Sequence, residues 1–245
     1  MFPIRDHNPS AGTPFVVYAI LAANLLVFAY QWIFASAEPA ASQFYYDWAL
    51  FPAAVTDYGE YRGLLTSMFL HAGLLHLGGN MLFLWIFGDN LEDQMGHLPF
   101  LAFYLACGLL AGLAQVATEP HSMIPTVGAS GAIAGVMGGY LLMFPRARVD
   151  IVVIFIIFFK VFTIPSVIML GVWLAFQILG GVGSVGEAGV AYWAHVGGFA
   201  AGLALTLPLW LRRGGREFWR ETEGLPPHGE AVYAPSIFPR IGRRK

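Results

Sequence analysis

The sequence predicts an all-α, polytopic membrane protein built as a bundle of six transmembrane helices. Composition is the first reason: 57% of the 245 residues are hydrophobic and 11% are charged, against roughly a quarter charged in a soluble globule. The spacing of the charges is the second. No Asp, Glu, Lys or Arg occurs in 7–37, 63–88, 94–118, 120–145, 161–186 or 188–211, and about 20 apolar residues suffice to cross a bilayer core. The formal net charge is −2, and no basic face of the kind that binds nucleic acid is present. Nucleic acid is therefore excluded as a partner.

Residues 1–13 form a short N-terminal segment, and the spans follow at 14–35, 65–88, 98–118, 127–145, 165–181 and 192–211. The first is too long and too poorly flanked for a cleaved signal peptide, so it reads as an anchor. The connection 36–63 carries Phe44, Tyr45, Tyr46, Trp48, Phe51 and Tyr58. Such aromatics settle at headgroup level, which places this loop in the membrane surface. Lys160 constrains the fifth span, because one helix over 151–180 would hold its ammonium in mid-bilayer at a cost of at least about 2.5 kcal/mol. The β-branched run at 151–154 and the helix-breaking Pro165 predict an apolar segment over 151–164 lying along the inner interface. A longer tilted helix with Lys160 snorkelling is the alternative.

Beyond the fifth span, five glycines fall within 180–189 and predict a flexible flap. The tail, 212–245, holds eight Lys/Arg against four Asp/Glu together with Pro226, Pro227, Pro235 and Pro239. It is expected to be disordered and to touch anionic lipid. Lys and Arg favour the cytoplasmic side. Arg5, Arg146, Arg148 and the basic tail fall on one side and Arg62 on the other, so both termini are expected in the cytoplasm of a cell whose inner membrane holds the protein.

Polar side chains at membrane depth face the bundle interior and mark function. Here they are His71, His76 and Asn80 on span two, Ser130 on span four and His195 on span six. Counted back from Arg146, Arg212 and Asp89, Ser130 lies about 24 Å, His195 about 26 Å and His76 about 20 Å from the inner edge. All three share one level in a core about 30 Å thick, and Asn80 lies one turn from His76 on the same face. Gly131, Gly135 and Gly139 on span four and Gly198 and Gly202 on span six recur every fourth residue, a spacing that lets helices pack closely. Ser130 and His195 could then meet as nucleophile and base.

A serine hydroxyl needs a base within hydrogen-bond reach, and imidazole, with an unperturbed pKa of about 6.5, suits that work. Gly128, Ala129 and Gly131 leave the hydroxyl open. The Ser130 backbone amide, Asn80 and His76 are the candidate donors to an oxyanion. No Asp or Glu lies at that depth, so the arrangement would be a dyad rather than a triad. Taken singly, each of these signals is better explained by helix packing or by a helix-to-helix hydrogen bond; their combination at one depth is what points to catalysis. His71 reads as structural, Cys107 as packing, and His7, His97, His121 and His228 have no spacing that argues for a role.

At these residues the sequence resembles the rhomboid family of intramembrane serine proteases. His71-Ala-Gly-Leu-Leu-His76-Leu-Gly-Gly-Asn80 is similar to the family's second helix, Gly128-Ala-Ser130-Gly131 to its nucleophile motif, and Ala194-His195-Val-Gly-Gly198 with Gly202 to its sixth helix. Together with Gly88-Asp89-Asn90, the motif around His76 is closer to bacterial members than to mitochondrial ones. The resemblance implies a six-helix rhomboid-like bundle, Ser130 as nucleophile, His195 as base and then acid, and His76 with Asn80 at the oxyanion. It implies single-span membrane proteins as substrates, reaching the site past helix five and the flap, and neither cofactor nor metal. Two positions depart from the family pattern. Many relatives carry an aromatic ring one turn after the serine, stacked on the base, where this chain has Ala134. The Trp-Arg pair of the first outer loop is here Tyr61-Arg62.

Three other functions compete. A non-catalytic membrane chaperone that binds client helices would fit the fold, but an inactive relative would usually have lost the dyad. A channel or transporter would be expected to carry intramembrane carboxylates or inverted repeats, and neither is visible. A zinc protease would need a His-Glu-xx-His helix, which the sequence lacks.

Overall fold

The computed structural model describes residues 2–8, 10–155, 158–183 and 189–229. Among the described residues, ten helices and three strands follow in chain order. They are β1 (Phe2–Asp6), α1 (Phe15–Phe34), α2 (Ala40–Trp48), α3 (Pro52–Tyr58), α4 (Arg62–Thr66), α5 (Leu74–Met95), α6 (His97–Thr118), α7 (Ser130–Met143), β2 (Arg148–Phe155), β3 (Phe158–Pro165), α8 (Ser166–Gly183), α9 (Tyr192–Arg212) and α10 (Arg216–Glu221). A single 3-10 turn over Ser67–Phe69 continues α4. Helices α1, α6, α8 and α9 are long and apolar enough to cross a membrane, and α4 with α5 forms a fifth such unit, bent by 91°. Helix α7 is apolar but has 14 residues.

Burial explains the arrangement. In α1 the buried residues are Val17, Ile20, Asn24, Phe28 and Gln31, spaced three and four apart, so one stripe meets the bundle. Leu25, Leu26, Trp32 and Ile33 point outward and stay exposed, as expected of a lipid-facing surface. Helix α7 differs, since its residues from Gly131 to Tyr140 are all buried. A helix that is apolar all round belongs in the middle, and α5, α6, α8 and α9 pack around it.

The second span departs from its expected straight course. The chain runs through α4 and the 3-10 turn, breaks at 70–73, and restarts as α5 at Leu74. Backbone groups at such a break need partners. Gln31 supplies them: its amide nitrogen donates to the His71 carbonyl at 2.9 Å and its oxygen accepts from the His71 N–H at 3.4 Å. The same amide nitrogen also reaches the Tyr45 hydroxyl at 2.8 Å, tying α1 to the aromatic loop.

The segment 151–164, expected as an apolar stretch along the interface, folds as part of a β-hairpin. Strands β2 and β3 pair antiparallel with Val149 opposite Ile164 and Val153 opposite Lys160, and β1 adds to the outer edge of β2 with Asp6 opposite Val149. β-branched residues fit a pleated surface, and the pairing satisfies backbone groups that a single extended segment would leave open. This hairpin also excludes the long tilted helix. Lys160 is exposed, with its ammonium 5.0 Å from the Phe162 ring centroid. Asp150 joins all three strands, accepting from Arg5 at 2.7 Å, His7 at 2.8 Å and Thr163 at 2.5 Å.

The tail also differs from its expected disorder as far as residue 229. Helix α10 folds back on the bundle: Phe218 is buried, the Trp219 indole donates to the Leu142 carbonyl at 2.9 Å, and the Trp219 and Trp210 rings lie 4.8 Å apart. Burial of aromatic area outweighs the local charge here. Residues 230–245 and the middle of the glycine flap, 184–188, lie outside the described residues.

Candidate active site

Three helix starts meet at one end of the bundle: His76 in the first turn of α5, Ser130 as the first residue of α7, and His195 in the first turn of α9. Ser130 Oγ and His195 Nε2 are hydrogen-bonded at 2.7 Å. Both side chains line a cavity of about 520 Å³ together with His76, Gly128 and Gly131.

Close approach of α7 and α9 creates the pair. A Cβ at Gly198 would stand 2.1 Å from the Gly131 carbonyl oxygen, and one at Gly202 would stand 1.9 Å from that of Gly135. No side chain fits at either position. Two glycines of α7 serve a different neighbour: a Cβ at Gly131 would meet Ala111 at 2.6 Å and one at Gly135 would meet Cys107 at 2.4 Å, both on α6, whereas one at Gly138 would stand 2.2 Å from the Phe199 carbonyl oxygen of α9. Gly139 faces Thr206 of α9 at 2.6 Å. Cys107, which is buried and free, fills the space beside Gly135.

The segment leading into α7 is fixed by its backbone. Leu50 and Thr126 exchange hydrogen bonds at 3.0 and 2.8 Å, and the Gly128 N–H donates to the Ser67 carbonyl at 2.9 Å. Gly128 has φ of +126°, a conformation that side chains disfavour. Ser130 follows as the first helical residue, where its N–H has no helical carbonyl to reach and stays available to a ligand.

His76 packs over Gly128, where a Cβ would lie 2.7 Å from His76 Nε2. Its Nδ1 accepts from the Ala72 N–H at 3.3 Å, so the Nε2 nitrogen can carry the proton and act as a donor. The His71 ring stands edge-on to His76 at 5.1 Å. Asn80 lies one turn further along α5; it is buried, and its Nδ2 has no partner among the described residues. It does not line the cavity wall.

Two amides escaped the sequence reading. Gln115 of α6 accepts from the Ala194 N–H at 3.3 Å and so holds the start of α9. Gln177 of α8 meets His195 Nδ1 at 2.8 Å. A lone glutamine inside an apolar helix carries no motif, so only its cost at membrane depth could have drawn attention. Trp173 of α8 places its ring 5.8 Å from that of His195, and Ala134, one turn after Ser130, is buried. Arg62 of the Tyr61-Arg62 pair sits over the Trp48 ring, 5.4 Å from its centroid. Among the described residues no His, Cys, Asp and Glu cluster could hold a metal ion.

The family's rhomboid domain model matches residues 58–212. The chain belongs to the rhomboid family. Over 157 residues this rhomboid is 34% identical to the rhomboid protease GluP of Bacillus subtilis (strain 168), covering 61% of this chain and 27% of that protein. Over 133 residues it is 35% identical to the putative rhomboid protease YdcA of the same organism, covering 52% of this chain and 63% of that one. It is also 29% identical over 197 residues to the mitochondrial rhomboid protein 1 of Saccharomyces cerevisiae, covering 77% of this chain and 51% of that one. This rhomboid therefore spans between about a quarter and two thirds of the length of these relatives. Its apolar helices make it an integral, multi-pass membrane protein.

Proposed function

We propose that this rhomboid is an intramembrane serine endopeptidase working through a Ser130–His195 dyad. The observation that carries the reading is the 2.7 Å hydrogen bond between Ser130 Oγ and His195 Nε2 inside a cavity of about 520 Å³. His195 Nε2 takes the hydroxyl proton as Oγ bonds to the carbonyl carbon of the scissile peptide. The oxyanion that forms accepts from the Ser130 N–H, with His76 as a side-chain donor at the cavity and the Asn80 amide, one turn along α5, as a second donor that must turn toward it. His195 then gives its proton to the leaving nitrogen, the C–N bond breaks, and an ester to Ser130 remains. Water attacks that ester with its proton passing to His195, and collapse returns the proton to Ser130 and releases the acid. No cofactor or metal enters these steps.

Substrates in this reading are single-span membrane proteins that unfold locally to reach a serine sunk below the outer surface. Helix α7 counts as a short span, giving six, with both termini in the cytoplasm beneath the inner membrane and the basic tail against anionic lipid. Purified protein in detergent or liposomes, offered a fluorescent transmembrane reporter, should cleave it. Ser130→Ala and His195→Ala should each reduce cleavage by at least about 1,000-fold. Cleavage at the wild-type rate in both variants rejects the dyad.

A further inference from the structure

We propose that Gln177 of α8 is the third member of the catalytic group, a positioning residue that fixes the tautomer of His195. The inference rests on the Ser130–His195 reading and answers the question that Ala134 raises, namely what orients the base.

The polarity of the hydrogen bonds is set by one backbone carbonyl. Gln177 Nε2 donates to the Trp173 carbonyl at 3.2 Å. A carbonyl can only accept, so the amide nitrogen must face it and Oε1 must face the imidazole. Oε1 in turn can only accept, so His195 Nδ1, at 2.8 Å, carries the hydrogen. In the neutral ring the other nitrogen is then bare. That nitrogen is Nε2, and it accepts from Ser130 at 2.7 Å. The chain Trp173 carbonyl, Gln177, His195, Ser130 thus has one direction, and it leaves the base in the state that can take the serine proton.

The same bond restrains the ring. Gln177 is buried, one of five such residues on α8, while Val167, Ile168, Phe176, Ile178 and Leu179 of that helix are exposed. Trp173, one turn earlier, sets its ring beside the imidazole and within 6.1 Å of Phe199. The base on α9 is therefore oriented from a neighbouring helix and stays oriented while α8 lies against α9. A neutral amide oxygen does what a carboxylate does in a triad, supplying direction and a dipole toward the ring without a buried charge.

The test compares wild type, Gln177→Leu, Gln177→Glu and Ser130→Ala in reporter cleavage, with His195 observed by 15N NMR of histidine-labelled protein. Gln177→Leu keeps the volume and removes the acceptor. Its kcat should fall about 10- to 100-fold with KM within about twofold, and the His195 signals should move from a single Nδ1–H form toward a tautomer mixture. Gln177→Glu restores acceptor oxygens and should keep kcat within about tenfold of wild type and the Nδ1–H form. Gln177→Leu with wild-type kcat, or with an unchanged His195 spectrum, overturns the inference, and so does equal impairment of the two variants. If Gln177→Leu does not fold, loss of the Nδ1–H form in folded Gln177→Glu overturns it. Cleavage that survives Ser130→Ala instead rejects the dyad itself, a separate outcome.

Discussion

Gly202 of α9 and Gly135 of α7 are in backbone contact: a Cβ at Gly202 would stand 1.9 Å from the Gly135 carbonyl oxygen and 2.5 Å from its carbon. No flexible atom is present to yield. Gly202→Ala must therefore push the helices apart, an overpacking cost of about 1–3 kcal/mol or more. His195 lies two turns away on the same helix, and a displacement of about 1 Å at a reacting group can lower rate about 100-fold. The expected result is a lower unfolding midpoint in detergent and a loss of reporter cleavage. Gly171→Ala on α8, where a Cβ meets nothing within 4 Å, should change neither.

Gly128 combines two restraints that substitution separates. Its φ of +126° disfavours a side chain, and a Cβ would also press on His76 Nε2 at 2.7 Å. Gly128→Ala should cost about 1–3 kcal/mol of backbone strain and also reduce kcat by displacing a donor to the oxyanion. Gly96 has φ of +80° with nothing within 4 Å of a Cβ. Gly96→Ala should therefore carry backbone strain while leaving cleavage intact, and equal loss of cleavage in both would remove His76 from the account.

The contrast between legible and hidden features follows from the range of the interactions. Helices α1, α6, α8 and α9 were readable because a local, continuous run of apolar residues marks each of them, and their ends fall within a few residues of the ends of those runs. The meeting of Ser130 and His195 was readable because glycine spacing and depth are properties of the sequence itself. The hairpin was not, because the register of β2 depends on β3 and on β1, which lies more than 140 residues earlier. Nor was the break at 70–73, whose backbone is satisfied from Gln31 on another helix. Gln177 escaped for the same reason: its meaning lies in which ring it faces.

Asp6 supplies a pH-dependent contribution at the end of the bundle away from Ser130. It is buried, and its carboxyl group accepts from Asn90 at 2.9 Å and Tyr140 at 3.2 Å. Burial, and then the nearby Asp89, push its pKa up from 3.8 to about 8. The folded chain thus keeps this proton to about pH 8, while the unfolded chain releases it near 3.8. Stability from this group is full below the unfolded value and is lost as pH rises through the folded one. Asp6→Asn has no proton to lose, so its unfolding midpoint relative to wild type should rise between pH 5 and pH 8. A constant difference over that interval would mean that Asp6 is ionised in the fold.

The start of α1 is capped from another helix, and that cap is separable from catalysis. Pro14 at its N-cap offers no side-chain bond. Instead the Glu92 carboxylate of α5, 2% exposed, accepts from the Val16 N–H at 2.9 Å and the Val17 N–H at 2.8 Å, with His97 Nδ1 at 2.5 Å. Charged acceptors at a helix N-terminus satisfy unpaired donors and oppose the helix dipole. Glu92→Ala leaves the buried Val17 N–H and the part-buried Val16 N–H without this acceptor and should cost about 1.5–3 kcal/mol. Glu92→Gln retains one acceptor oxygen and should cost less. His97→Ala should cost at most about 1 kcal/mol, because that side chain is half exposed and its contact is screened. Glu92 lies about 24 Å along α5 from His76, so Glu92→Ala should keep wild-type kcat at temperatures where it is folded. Unfolding midpoints measured beside cleavage rates check both halves, and a fall in kcat without a fall in midpoint would instead connect this cap to the site.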